Sequence, residues 1–77
     1  MPLITKTPGV CGGRACVAGT RITVCGLVSY RMRGLDERAI LEAIPSLTPV
    51  QLAAALRYAE ENADEIARDI AQNEADE

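Results

Sequence analysis

No stretch constrains this chain more than Pro45-Ser46-Leu47-Thr48-Pro49. Proline disfavours helix at the residue before it, so Pro45 ends whatever helix precedes it. A few residues on, Thr48-Pro49-Val50-Gln51 has the form of a helix start. Threonine is a good N-cap, proline fits the first helical position, and a glutamine three residues after the cap completes a capping box. The chain must therefore pass from one helix to another within a few residues. The flanking pattern predicts helices over residues 36–44 and 48–72. Asp36 caps the shorter, and Ala39, Ile40, Ala43 and Ile44 give it helical spacing. In the longer, Leu52, Leu56, Ala59, Ala63, Ile66 and Ile70 form a heptad-like seam. A single helix of about 24 residues would be roughly 36 Å long. Two short helices cannot cover that length. Its far half, from about Asn62, is expected to lie on a partner, on a second copy, or frayed in solvent.

Upstream, a helix is predicted over residues 23–33. Thr23 is its N-cap, and Val24, Leu27 and Val28, with Met32 or Tyr30, make its apolar stripe. Arg31 and Arg33 stand in the last turn, where the helix dipole favours cations, and Gly34 takes the left-handed position after it. The first 21 residues are rich in Gly, Pro and Thr. Val10-Cys11 and Ala15-Cys16-Val17 read as short β-type runs about a Gly12-Gly13 turn. The expected fold is mainly α: a short N-terminal β-hairpin, then a tri-helical, helix-turn-helix-like bundle with a long C-terminal helix. Residues 1–60 form the hairpin and bundle, and residues 61–77 an acidic helical extension. The apolar residues are 12 Ala, 7 Leu, 6 Ile and 5 Val with no Phe or Trp, so the core is thin and self-association is expected.

Charge divides the chain. Residues 1–38 carry six basic and two acidic side chains, residues 39–77 two basic and nine acidic. A basic front suits nucleic acid, and an acidic tail suits either a basic protein surface or plain solvation. The chain has no histidine, which excludes imidazole acid–base chemistry and histidine metal ligands. Phosphate-binding and nucleophile-elbow motifs are absent. Cys11, Cys16 and Cys25 supply three thiols at spacings that fit structural zinc poorly, and a fourth ligand is missing. Their expected role is small-residue packing, with Cys11 and Cys16 facing each other across the hairpin. No cofactor, metal, small-molecule substrate or catalytic residue is expected, and the chain is not read as an enzyme. With no signal-peptide pattern and no apolar run near 20 residues, the expected location is the cytoplasm, with reduced thiols and no membrane contact.

The short connection before Thr48 has helix-turn-helix spacing, in which the second helix presents its N-terminal side chains to the major groove. Candidates there are Thr48, Gln51 and Tyr58, with Gln51 able to read adenine and Arg57 to reach a phosphate. Arg31, Arg33 and Arg38 flank the preceding turn and could clamp the backbone. Plain helical packing without DNA is the alternative, because the candidate recognition helix is poor in cations.

The run Val10-Cys11-Gly12-Gly13-Arg14-Ala15-Cys16-Val17-Ala18-Gly19-Thr20-Arg21-Ile22-Thr23 resembles the signature of the small DUF433 proteins. Gly34-Leu35, Ile40-Leu41, Pro45-x-Leu47-Thr48-Pro49 and residues 54–59 match it as well. The resemblance covers about residues 4–60. It implies a homeodomain-like or winged tri-helical DNA-binding fold. It also implies a bacterial type II antitoxin of the VapB type, whose partner is a PIN-like ribonuclease toxin, acting as a homodimer or higher oligomer that also binds operator DNA. Ala15 stands where proline is common, and Ala18 where a basic residue is common, leaving Arg14 and Arg21 to carry any nucleic-acid role of the hairpin. PIN-like nucleases must hold anionic RNA on basic surface, and an acidic helix can occupy such a surface. On that reading Ala63, Asp64, Glu65, Ile66, Asp69 and Ile70, with Glu74, Asp76 and Glu77 beyond them, are the toxin contacts.

Overall fold

Thr20 fixes the start of the fold. Its hydroxyl donates to the Val17 carbonyl at 2.8 Å and accepts from the Ile22 amide at 3.0 Å, while its amide bonds Val17 at 3.0 Å. Gly19, at φ +77°, supplies the left-handed residue this turn needs. The Gly19-Thr20-Arg21-Ile22 run is thus a stapled turn. It reverses the chain so that the Val17 amide meets the Ile22 carbonyl at 2.9 Å and the Val24 amide meets the Ala15 carbonyl at 2.9 Å. The computed structural model that shows this describes residues 3–75.

Strand β1 (Ile4–Thr5) pairs antiparallel with β2 (Cys16–Val17), with Ile4 opposite Val17 and Thr5 opposite Cys16. The hairpin is therefore wider than the sequence pattern suggests. Val10-Cys11 is not its first strand. Gly12-Gly13 belongs to a short 3-10 turn (Cys11–Gly13) inside the loop, where Cys11 itself has φ +52°. A Gly-Gly pair supplies a left-handed turn of either kind, and the partner of β2 is set instead by the apolar Ile4, packed against the core.

Four helices follow among the described residues: α1 (Val24–Met32), α2 (Glu37–Ala43), α3 (Pro49–Glu61) and α4 (Ala63–Ala75). The chain is mainly helical with a short N-terminal hairpin. The caps stand where the sequence places them. Thr23 accepts from the Gly26 amide at 3.0 Å, Asp36 from the Ala39 amide at 2.8 Å, and Thr48 from the Gln51 amide at 3.2 Å. After α1 the Gly34 amide bonds Arg31 and the Leu35 amide bonds Tyr30, which closes the helix as a Schellman motif.

The single helix expected over residues 48–72 is two. It breaks at Asn62, whose φ of −131° lies outside the helical range. The Asn62 side chain donates to the Tyr58 carbonyl at 3.0 Å, and its own carbonyl accepts the Ile66 amide at 3.1 Å as the first bond of α4. The elbow has a physical reason. A straight helix would leave Ile66 and Ile70 in water, whereas the bend lays α4 against α1. Ile66 becomes only 3% exposed, joining Leu27, Ile40 and Leu52 in the core. The far half thus needs neither partner nor second copy to cover Ile66.

Candidate functional site

The proposed DNA-reading residues are mostly engaged within the chain. Thr48 and Gln51 form a reciprocal capping box, with the Gln51 Oε1 accepting from the Thr48 amide at 2.9 Å. Bidentate reading of adenine uses both ends of a glutamine amide, so the capping bond competes with it. Arg38 pairs with Glu42 at 3.4 Å and Arg57 with Glu61 at 3.8 Å, each one helical turn apart on exposed surface. Such pairs are weak and open readily. Arg14 is half-buried beside the 3-10 turn, and Arg21 is exposed on the hairpin side, lining an open hollow with Thr5, Thr7 and Gly19. Arg31 and Arg33 project from the end of α1 and make no ion pair among the described residues.

Tyr58 and Glu65 belong to a latch rather than to an open surface. The Tyr58 hydroxyl donates to Glu65 Oε2 at 2.7 Å, and Lys6 Nζ meets Glu65 Oε1 at 2.9 Å. One carboxylate thereby ties the first strand region, α3 and α4 together. The hydrogen bond from Tyr58, then that from Lys6, lowers the Glu65 acid below the ordinary carboxylate range. The same bond, followed by burial, pushes the Tyr58 phenol up to about 12.

The six residues expected to meet a partner divide in the same way. Ile66 is in the core and Glu65 in the latch, Asp69 and Ile70 are half-buried, and Ala63 and Asp64 face outward. Asp76 and Glu77, and the side chain of Glu74, lie outside the described residues.

Two surfaces emerge around α4. At the elbow an open hollow of about 450 Å³ is lined by Glu60, Glu61, Asn62, Asp64, Glu65 and Arg68, and it is acidic apart from that one cation. Beside it runs an apolar groove of about 330 Å³, formed by Val28 and Met32 of α1, Ala59 of α3, and Ala63, Ile66, Ala67 and Ile70 of α4. Met32 is 72% exposed. The sequence pattern missed Val28, Met32 and Ala67 as surface features, because the first two read as stripe residues of a buried helix face.

The thiols are held in backbone hydrogen bonds or caps. Cys11 donates to the Arg21 carbonyl at 3.4 Å and Cys16 to the Arg14 carbonyl at 3.3 Å, while Cys25 approaches the capping hydroxyl of Thr23 at 3.5 Å. Burial, then the hydrogen bond with Cys11, pushes the Cys16 thiol up to about 11. Among the described residues no cluster of acidic, cysteine or histidine side chains is arranged to hold a metal ion, and no helix is long and apolar enough to cross a membrane.

The family model for DUF433, a protein of unknown function, matches residues 4–59. No curated protein matches the chain. Among solved structures, the crystal structure of a DUF433 member protein from Anabaena variabilis ATCC 29413 is similar, with 45% identity and a TM-score of 0.88 over 92% of this chain and 70% of that one. That coverage leaves fewer residues unmatched than the 13 of α4, so the likeness reaches past the family-matched segment into this helix. The stapled hairpin turn and the capped start of α3 both lie inside the matched segment, and the chain belongs to the DUF433 family.

Proposed function

We propose that this chain is the antitoxin of a type II toxin–antitoxin pair, and that it binds and silences a PIN-like ribonuclease. The observation that carries the reading is the acidic elbow, where Glu60, Glu61 and Asp64 stand exposed around the α3–α4 junction. A nuclease holds RNA on cationic surface, and an outward acidic face is its electrostatic complement. Such charge speeds encounter and selects the partner, while apolar contacts hold the complex. The segment from α2 through α3 is read as helix-turn-helix-like within the same proposal.

The proposal expects the gene beside that of this chain to encode a PIN-like nuclease, and the test is an RNA-cleavage assay with that product. The wild-type chain inhibits near one-to-one. Glu61→Lys with Asp64→Lys, both on exposed positions, weakens inhibition at least about tenfold, the loss expected when two complementary charges become repulsive. Surface reversals are preferable to deleting residues 62–77, since that deletion removes Ile66 from the core. Unimpaired inhibition by the double variant would move the interface elsewhere, and no inhibition by the wild type ends the reading.

A second reading, a DNA-binding regulator without a toxin, draws on Arg31 and Arg33. These are exposed cations at the end of α1 with no ion pair among the described residues. It requires binding to the upstream DNA of its own gene at low salt, lost in Arg31→Ala with Arg33→Ala. Phosphate contacts would make that binding steeply salt-dependent.

A further inference from the structure

We propose that the apolar groove between α1 and α4 is the interface of a two-fold homodimer. The groove has a projection and a hollow side by side. Met32 stands 72% exposed on one lip, and Ala59, Ala63 and Ala67 line the other with small side chains. In an isologous contact the same patch serves both partners, so what projects from one copy must fit a recess on the other. A methionine is long and flexible enough to fill a hollow of this kind. Two Met32 side chains, each seated on the alanines of the opposite copy, would cover the groove on both sides at once.

Charge at the rim selects the occupant. Arg31 and Arg33 flank Met32 in sequence at the end of α1, and Glu60 follows the groove-lining Ala59 on α3. Arg31 and Glu60 also line a shallow apolar extension of the groove together with Val28 and Leu56. A strongly cationic partner would leave the arginines opposed, and a nucleic acid would leave the carboxylate opposed. A second copy, turned by the two-fold, sets each copy's arginines against the other's carboxylate. A stable interface takes ~800 Å² from each partner, about a sixth of the 5134 Å² this chain exposes, so the contact extends past the groove onto the flanking faces of α1, α3 and α4. Glu61 and Asp64 of the acidic elbow line neither the groove nor its extension, which leaves the dimer a surface for another protein.

Sedimentation equilibrium of the full chain tests the proposal. The wild type is expected as a monomer–dimer equilibrium, with dimer dominant at about 100 μM, the range of a modest interface. Met32→Lys and Ala67→Lys lie on exposed positions and keep the helical circular dichroism of the wild type. Each raises the dimer dissociation constant at least about tenfold by placing a charge in an apolar contact. Arg31→Glu with Arg33→Glu in one chain, and Glu60→Arg in another, each weaken self-association, and their equimolar mixture restores a heterodimer. A wild type that stays monomeric overturns the proposal, as does a dimer indifferent to both lysine variants. A ladder of higher species overturns it too, since an isologous contact closes at two. Sedimentation reads this chain alone, so its outcome is independent of whether a nuclease is inhibited.

Discussion

Replacing Ile66 with alanine separates a bent α3–α4 arm from a straight one. In a straight helix over residues 48–72, Ile66 would be solvent-exposed and its truncation nearly silent. In the folded chain it is 3% exposed and packed with the core. Isoleucine-to-alanine changes in a core cost about 2–5 kcal/mol, made up of lost transfer energy and the cavity left behind. Ile66 also lines the open groove, so water and neighbouring side chains can reach the vacated space. The cost therefore falls toward the lower end, about 2–3 kcal/mol. A chain of 77 residues has roughly 4–12 kcal/mol of stability in total. The variant forfeits a large part of it and melts about 8–24 °C lower, at ~4–8 °C per kcal/mol for a domain of this size. Urea unfolding followed at 222 nm is the assay, with the midpoint reduced and the m-value unchanged. Ile70→Ala, at a half-buried position, should cost clearly less. A loss below about 0.5 kcal/mol for Ile66→Ala, the level of an ordinary surface change, would refute the bend.

Ultraviolet titration should find the Tyr58 phenol ionising near 12, identified by its disappearance in Tyr58→Phe, and Glu65→Gln should bring it back toward 10. Glu65 is lowered in the folded chain, so its contribution is present above pH 4.5 and lost as pH falls through its folded value, whereas that of Tyr58 is present below pH 10 and lost between 10 and about 12. Urea midpoints across pH should show both losses in the wild type, neither in Glu65→Gln, and equal slopes in the two chains would count against the latch. Gly26→Ala should destabilise by about 1 kcal/mol or more although alanine favours helix, because a Cβ at that position would lie 2.8 Å from the capping Thr23 hydroxyl; a gain in melting temperature would contradict this. Iodoacetamide at pH 8 should alkylate the half-exposed Cys11 well before the buried Cys16 and Cys25, as read by peptide mass spectrometry, and labelling of Cys16 first would contradict the raised thiol.

Local chemistry made much of this fold legible. Thr23, Asp36 and Thr48 cap because a short side-chain oxygen before an apolar run satisfies an orphan amide, and this needs only adjacent residues. Gly34 ends α1 for an equally local reason. The elbow at Asn62 was hidden because the seam of Leu52, Leu56, Ala59, Ala63, Ile66 and Ile70 keeps its period across the break. A signal was present all the same: Asn62 followed by Ala63-Asp64-Glu65 has the sequence form of a helix start with an acidic first turn. The partner of β2 was out of reach of local pattern, since Ile4 and Val17 meet across a long loop. The site shows the same division. Acidic residues on α4 could be named from composition. Which of them face outward depends on the bend, and this turns Ile66 inward, commits Glu65 to Tyr58 and Lys6, and leaves Asp64 exposed. The groove needed α1 and α4 side by side, a contact that neither helix encodes alone.

The proposed function rests on the acidic elbow of this small chain meeting a nuclease. Its most direct test is titration of the purified chain into cleavage of a fluorescent RNA by the product of the neighbouring gene, which the proposal expects to be a PIN-like nuclease. The expected result is linear loss of cleavage reaching completion near one chain per nuclease, at least about tenfold weaker for Glu61→Lys with Asp64→Lys. Undiminished cleavage at about tenfold molar excess of folded wild-type chain would contradict it, since any affinity adequate for silencing would be saturated there.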